Sequence, residues 1–159
     1  MLDIIEGLKK ELIVLFFSMT PIFELRGAIP LGISLGLNPI HSGIISIIGN
    51  ILILGILLKV LRPLMVFFEG TYLFKNTIGW VKRRAMKKAG IIKRYSIVGL
   101  FFFVAIPIPT TGAWTGAVIA TLLKLDYKKS FISMSMGIIT AAMLVLSVYY
   151  GIINLNELT

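Results

Sequence analysis

Glu24 and Arg26 stand two residues apart in SMTPIFELRGAIPLG (Ser18–Gly32), a stretch otherwise made of apolar, hydroxyl and backbone-bending residues. A carboxyl group in such surroundings takes up or releases a proton as its environment changes, and a guanidinium brings a permanent charge with a planar fork for phosphate or carboxylate. In that chemistry Glu24 is a proton-coupling group and Arg26 an anion anchor. The alternative gives them to each other, as an internal or hairpin-capping pair that stabilises a break in the chain. Residues i and i+2 do not face each other on a helix, so a direct pair requires non-helical backbone. A second stretch, PIPTTGAWTG (Pro107–Gly116), has no charge but offers the hydroxyls of Thr110, Thr111 and Thr115 and the indole of Trp114. Those hydroxyls either bind an anion or replace backbone hydrogen bonds that Pro107 and Pro109 remove; Trp114 either stacks on a ligand, packs, or anchors at an interface. Asn50, inside an apolar run, serves a ligand or bonds another helix. A single histidine, His41, makes no metal-ligand set, and the lack of cysteine removes thiolate chemistry and disulfides. No residue set implies covalent chemistry, so the expectation is a protein that is not an enzyme and uses no cofactor.

The elements that position these groups follow from composition. Of 159 residues 57% are hydrophobic and only 14% charged, against roughly a quarter charged in an average soluble chain. Two uncharged runs, Ile40–Leu58 and Ser130–Ile153, reach the ~20 residues that cross a ~30 Å hydrocarbon core. This predicts an all-α integral membrane protein forming one membrane domain over 1–159. The N-terminal Leu2–Leu15 carries Ile5, Leu8, Leu12 and Leu15 at helical spacing and reads as an interfacial amphipathic helix, not a cleaved signal. Two further apolar stretches are interrupted. Leu12–Phe23 and Gly27–Leu37 hold twelve and eleven residues on either side of Glu24–Arg26, each arm too short to cross at ~1.5 Å per residue. Ile97–Ile108 and Gly112–Leu123 flank the second break in the same way. Pro21, Pro30, Pro107 and Pro109 are the expected hairpin-breaking residues, with half-helices resuming near Gly27 and Gly112.

The two halves echo one another: Pro21 and Pro107 are 86 apart, Gly27 and Gly112 are 85 apart, and Gly49 and Gly137 are 88 apart. This is a weak internal repeat, about 12–61 and 95–153, each with a broken hairpin and a full span. Re-entrant hairpins give two crossings and inverted repeats; kinked full spans give four crossings and parallel repeats. The re-entrant arrangement places Lys59, Arg62, the basic linker 62–94, Lys124, Lys128 and Lys129 on one side, as the positive-inside rule favours, and is preferred. The linker segment Gly79–Arg94 has seven basic residues and no acidic one and predicts a basic amphipathic helix on the cytoplasmic leaflet; nucleic acid is not the expected partner. Non-helical backbone at membrane depth must be buried or line a wet cavity, so the hairpin tips are expected to meet around a midplane site. Substrate-binding candidates there are Arg26, Gly27, Asn50, Thr110, Thr111, Gly112 and Trp114. With so little protein to cover its own breaks, a homodimer is expected.

TPIFELRGAIPLG followed by FVAIPIPTTGAWTGA resembles the small multidrug export protein family, which in turn resembles the DedA superfamily of bacterial and archaeal membrane proteins. The resemblance implies opposed re-entrant hairpins in the cytoplasmic membrane and activity as a lipid transporter or flippase, with undecaprenyl phosphate among the cargoes and Glu24 matching a proton-linked acid. Where DedA-type proteins carry arginines around the second hairpin's proline, this chain has Phe103, Ile108 and Thr110. The reading that results is proton-linked movement of a lipid phosphate. Multidrug efflux and a non-transporting membrane scaffold are the alternatives.

Overall fold

The computed structural model describes residues 2–69, 83, 90–107 and 111–157. These form six helices and no strand: α1 (Leu2–Met19), α2 (Glu24–Ser34), α3 (Pro39–Glu69), α4 (Gly90–Ala105), α5 (Ala113–Leu122) and α6 (Tyr127–Glu157). The basic segment 79–94 lies, except for residue 83 and the start of α4, outside the described residues, as do Pro109 and Thr110.

Two helices are long and apolar enough to cross a membrane: Pro39–Leu61 with mean hydropathy 2.5 and Tyr127–Ile152 with 2.1. Only 28% and 33% of their most apolar windows are buried, the reverse of a soluble core helix. On α3 the reversal is plain. Ile40, Ile44, Ile48, Leu52, Ile56 and Val60 form an exposed stripe at every fourth residue, while Ser42, Ser46 and Asn50 are buried. An apolar outside and a small, polar inside suit a helix whose solvent is lipid.

Residues cluster into two compact units, 1–52 with 138–159, and 53–137, so α3 and α6 each contribute to both. The two share one local plan. At the end of α2, Leu35, Gly36 and Leu37 donate their N–H groups to Leu31, Ile33 and Gly32, and at the end of α5 Leu123, Lys124 and Leu125 donate to Ile119, Thr121 and Ala120. Each bond has its twin 88 positions on. The turn residue is left-handed both times, Gly36 at φ 85° and Lys124 at φ 53°, as a Schellman motif requires. The next helix then starts from a side-chain cap: Asn38 Oδ1 accepts from Ile40 N at 2.9 Å, and Asp126 Oδ1 from Lys129 N at 2.9 Å. Both long helices run 31 residues.

The repeat extends to packing within each unit. A methyl group built on Gly49 would lie 2.8 Å from the Leu15 carbonyl oxygen and on the Ser18 hydroxyl; one on Gly137 would lie 2.9 Å from the Phe101 carbonyl oxygen and 3.0 Å from Val104 Cβ. Leu15 and Ser18 correspond to Phe101 and Val104. Glycine at these positions lets the long helix touch the backbone of the hairpin's first arm, the close approach that holds helices together in lipid.

Several boundaries differ from expectation. The N-terminal amphipathic segment and the first arm are one helix, α1, because nothing between Leu8 and Met19 breaks it. The first break is at Thr20–Phe23, not Glu24–Arg26: Pro21 lacks the N–H and disfavours helical backbone at Thr20, so the helix stops there. Accordingly α2 begins at Glu24 rather than near Gly27. Pro30 breaks nothing; it lies inside α2, where it removes only the N–H that would reach the Arg26 carbonyl. The second first arm is set off within α4 by a non-helical residue, Ser96 (φ 48°, ψ −115°), and ends at Ala105, just before Pro107.

Candidate transport site at the broken hairpins

A helix that breaks among apolar surroundings has to give its loose carbonyls new donors. In the first hairpin they have them. Thr20 N and Thr20 Oγ1 donate to the Phe17 carbonyl at 3.1 and 2.7 Å, and Glu24 N donates to the Thr20 carbonyl at 3.1 Å. Gly27 N donates to the Phe23 carbonyl at 2.9 Å. Asn50 Nδ2 reaches across from α3 to the Ser18 carbonyl at 2.8 Å. The Phe17 and Phe23 rings close the outside of the break with centroids 4.9 Å apart.

Glu24 opens α2 at φ 46°, in the left-handed region, and is only 9% exposed. A non-glycine residue held there costs about 1–3 kcal/mol and persists only where its surroundings fix it. As the first residue of α2, its carboxylate also sits at the positive end of the helix dipole. Arg26, half-buried in the same first turn, lies close enough to Glu24 for the two charges to attract. Two ionisable groups of opposite charge thus stand in the first turn of α2, just after the break, and the left-handed backbone at Glu24 departs from the helix, the condition under which i and i+2 can interact.

The other candidates divide by role. Gly27 makes room for a side chain, since a methyl there would lie 2.9 Å from the Phe23 ring. Asn50 is buried and pins the end of α1. In the second hairpin Thr111 Oγ1 donates to the Ile106 carbonyl at 3.1 Å, replacing a bond lost before Pro107. Gly112 takes φ 157° with ψ −166°, backbone that glycine adopts almost alone, and launches α5. Trp114 is half-buried in the first turn of α5. The first unit therefore gathers Glu24, Arg26, Gly27 and Asn50; Thr111, Gly112 and Trp114 belong to the second.

Two features were not read from the sequence. One is the buried row Ser42, Ser46 and Asn50, whose spacing of four was available but whose serines look like ordinary small packing residues. Ser42 Oγ donates to the Ile29 carbonyl at 3.0 Å, tying α3 to α2. The other is a cavity of about 210 Å³ in the second unit, walled by Leu58, Lys59, Ala120, Thr121 and Tyr127. Lys59 Nζ stands 5.9 Å from the Tyr127 ring centre, a cation over an aromatic face.

Two long apolar helices that face outward with their large apolar side chains and keep small and polar residues buried define an α-helical membrane protein. The chain belongs to the family described as "Putative small multi-drug export protein", which matches residues 24–144, from Glu24 itself to the middle of α6. No curated protein and no solved structure matches it.

Proposed function

We propose that this protein is a proton-linked membrane carrier, that Glu24 is its proton-binding group, and that Arg26 holds the anionic head group of a lipid phosphate such as undecaprenyl phosphate. The observation that carries the reading is the pairing of a buried, left-handed Glu24 with Arg26 in one turn of α2. An ionisable pair is costly at membrane depth and is functional there by default. Protonation of Glu24 releases Arg26 to an incoming phosphate, and arrival of the phosphate favours the neutral carboxyl, so proton and anion occupancy are linked. The family description favours a second reading, drug efflux, in which Glu24 is the counter-charge of a cationic drug. Arg26 opposes it by repelling such a cargo.

Purified protein in liposomes with an imposed pH gradient separates these. The expected result is gradient-dependent translocation of a fluorescent polyprenyl phosphate, lost in Arg26→Ala and in Glu24→Gln. Ethidium movement without lipid movement transfers the assignment to efflux, and movement of neither cargo leaves a scaffold.

The same reading has the hairpins re-entrant and the repeats inverted, with the α2–α3 and α5–α6 turns on opposite faces of the membrane. The chain has no native cysteine, so Asn38→Cys and Asp126→Cys report without background. Labelling of intact cells by an impermeant maleimide is expected at 38 and not at 126. Labelling of both from the same side would mean four crossings.

A further inference from the structure

In the first unit Ser42, Ser46 and Asn50 follow one another at one-turn intervals along the buried face of α3, at 0%, 0% and 1% exposure. The Ser42 hydroxyl is engaged by Ile29 and the Asn50 amide nitrogen by Ser18. Ser46 Oγ and Asn50 Oδ1 remain, and neither meets a hydrogen-bond partner among the described residues. The serine does not take even the carbonyl one turn back, the usual resort of a serine in a membrane helix. Two buried oxygens on neighbouring turns of a lipid-embedded helix call for a guest.

The donor set says what kind of guest. Both atoms are hard oxygens with lone pairs to give and only one hydrogen between them, which favours a cation over an anion. The surroundings agree. Asn50 is bonded to Ser18, the second-last residue of α1, so the negative end of that helix dipole stands beside the pair. Carbonyl-rich ends of broken helices are where carriers take their small coupling ions.

We propose that Ser46 Oγ and Asn50 Oδ1 are ligands of a sodium ion at the first break, with water completing its shell. The site is separate from the proton-binding role given to Glu24 and does not depend on the identity of the cargo. An ion here ties α3 to the end of α1 and stabilises the break.

The test is thermal unfolding of the purified protein in detergent, with sodium, potassium or choline chloride titrated at constant ionic strength. The expected result is a saturable rise in the unfolding temperature with sodium, on the order of 3 °C at 100 mM relative to choline. Ser46→Ala breaks no hydrogen bond made within the described protein and so keeps the fold; it is expected to raise the half-saturating sodium concentration at least tenfold. Equal unfolding temperatures in all three salts would leave a water molecule as the occupant and overturn the proposal. A sodium response lost in Ser46→Ala but unaccompanied by any lipid transport would uphold this site while removing the carrier reading above.

Discussion

Replacing Gly49 by alanine lowers the stability of the folded protein by about 2 kcal/mol, in the range of overpacked cores, while the same change at Gly55 on the same helix is tolerated. The new methyl at 49 meets the Leu15 carbonyl oxygen at 2.8 Å and the Ser18 hydroxyl, and backbone cannot step aside as a side-chain tip can. At 55 the nearest atom is a Phe131 ring carbon at 3.5 Å, ordinary contact, and the helix gains the ~1 kcal/mol by which alanine exceeds glycine. Gly137→Ala, placed 2.9 Å from the Phe101 carbonyl, is expected to behave like the first and not the second. Unfolding temperatures in one detergent, with the recovered fraction of monodisperse protein, measure all three. Equal tolerance at 49 and 55 would mean that α1 and α3 do not approach closely.

Arg26→Ala has the other large effect, because it leaves the 9%-exposed Glu24 carboxylate without its nearby positive charge. Removing one partner of a fully buried pair costs about 3–5 kcal/mol; with Arg26 half-buried and partly screened by solvent the cost here is about 1–2 kcal/mol, and replacing both costs less still. The double variant Glu24→Gln/Arg26→Ala is therefore expected to be more stable than Arg26→Ala, with a coupling of about 1 kcal/mol in the double-mutant cycle that Glu24→Gln completes. Transport is expected to be absent from all three variants of the cycle. Strict additivity would show that the two charges act independently, and would remove the linkage on which exchange of proton for phosphate depends. Glu24→Gly relieves the left-handed strain that Glu24→Gln keeps, while both leave Arg26 without its partner: the glycine variant is expected to be the more stable of the two by about 1 kcal/mol, with proton linkage lost in both.

The sequence made the spans and the repeat legible because both are written in properties that lipid enforces residue by residue. Ile40–Leu58 and Ser130–Ile153 fall inside α3 and α6, and the glycines 88 apart occupy the matching contacts of the repeat. The position of the first break was less legible. Charge drew attention to Glu24–Arg26, but charge does not stop a helix; the missing N–H of Pro21 does, four residues after Phe17. Pro30 is the converse, since a proline past the first turn can remain in a helix whose C-terminal end is fixed by a Schellman turn. The roles of Asn50 and Thr111 were open in the sequence because an amide or hydroxyl suits a ligand and a stranded carbonyl equally. Only the positions of Ser18 and Ile106 decide that both groups bond the backbone.

The first unit is discontinuous along the chain: it consists of residues 1–52 and 138–159, whereas the second is the unbroken stretch between them. During synthesis residues 1–52 emerge first, but α3 cannot acquire neighbours such as Leu146, which lies beside Gly43, until α6 has been translated. The stretch 53–137 is complete earlier. The first unit therefore stays incomplete while later segments are translated, and truncation of α6 beyond residue 137 is expected to harm residues 1–52 more than the stretch 53–137.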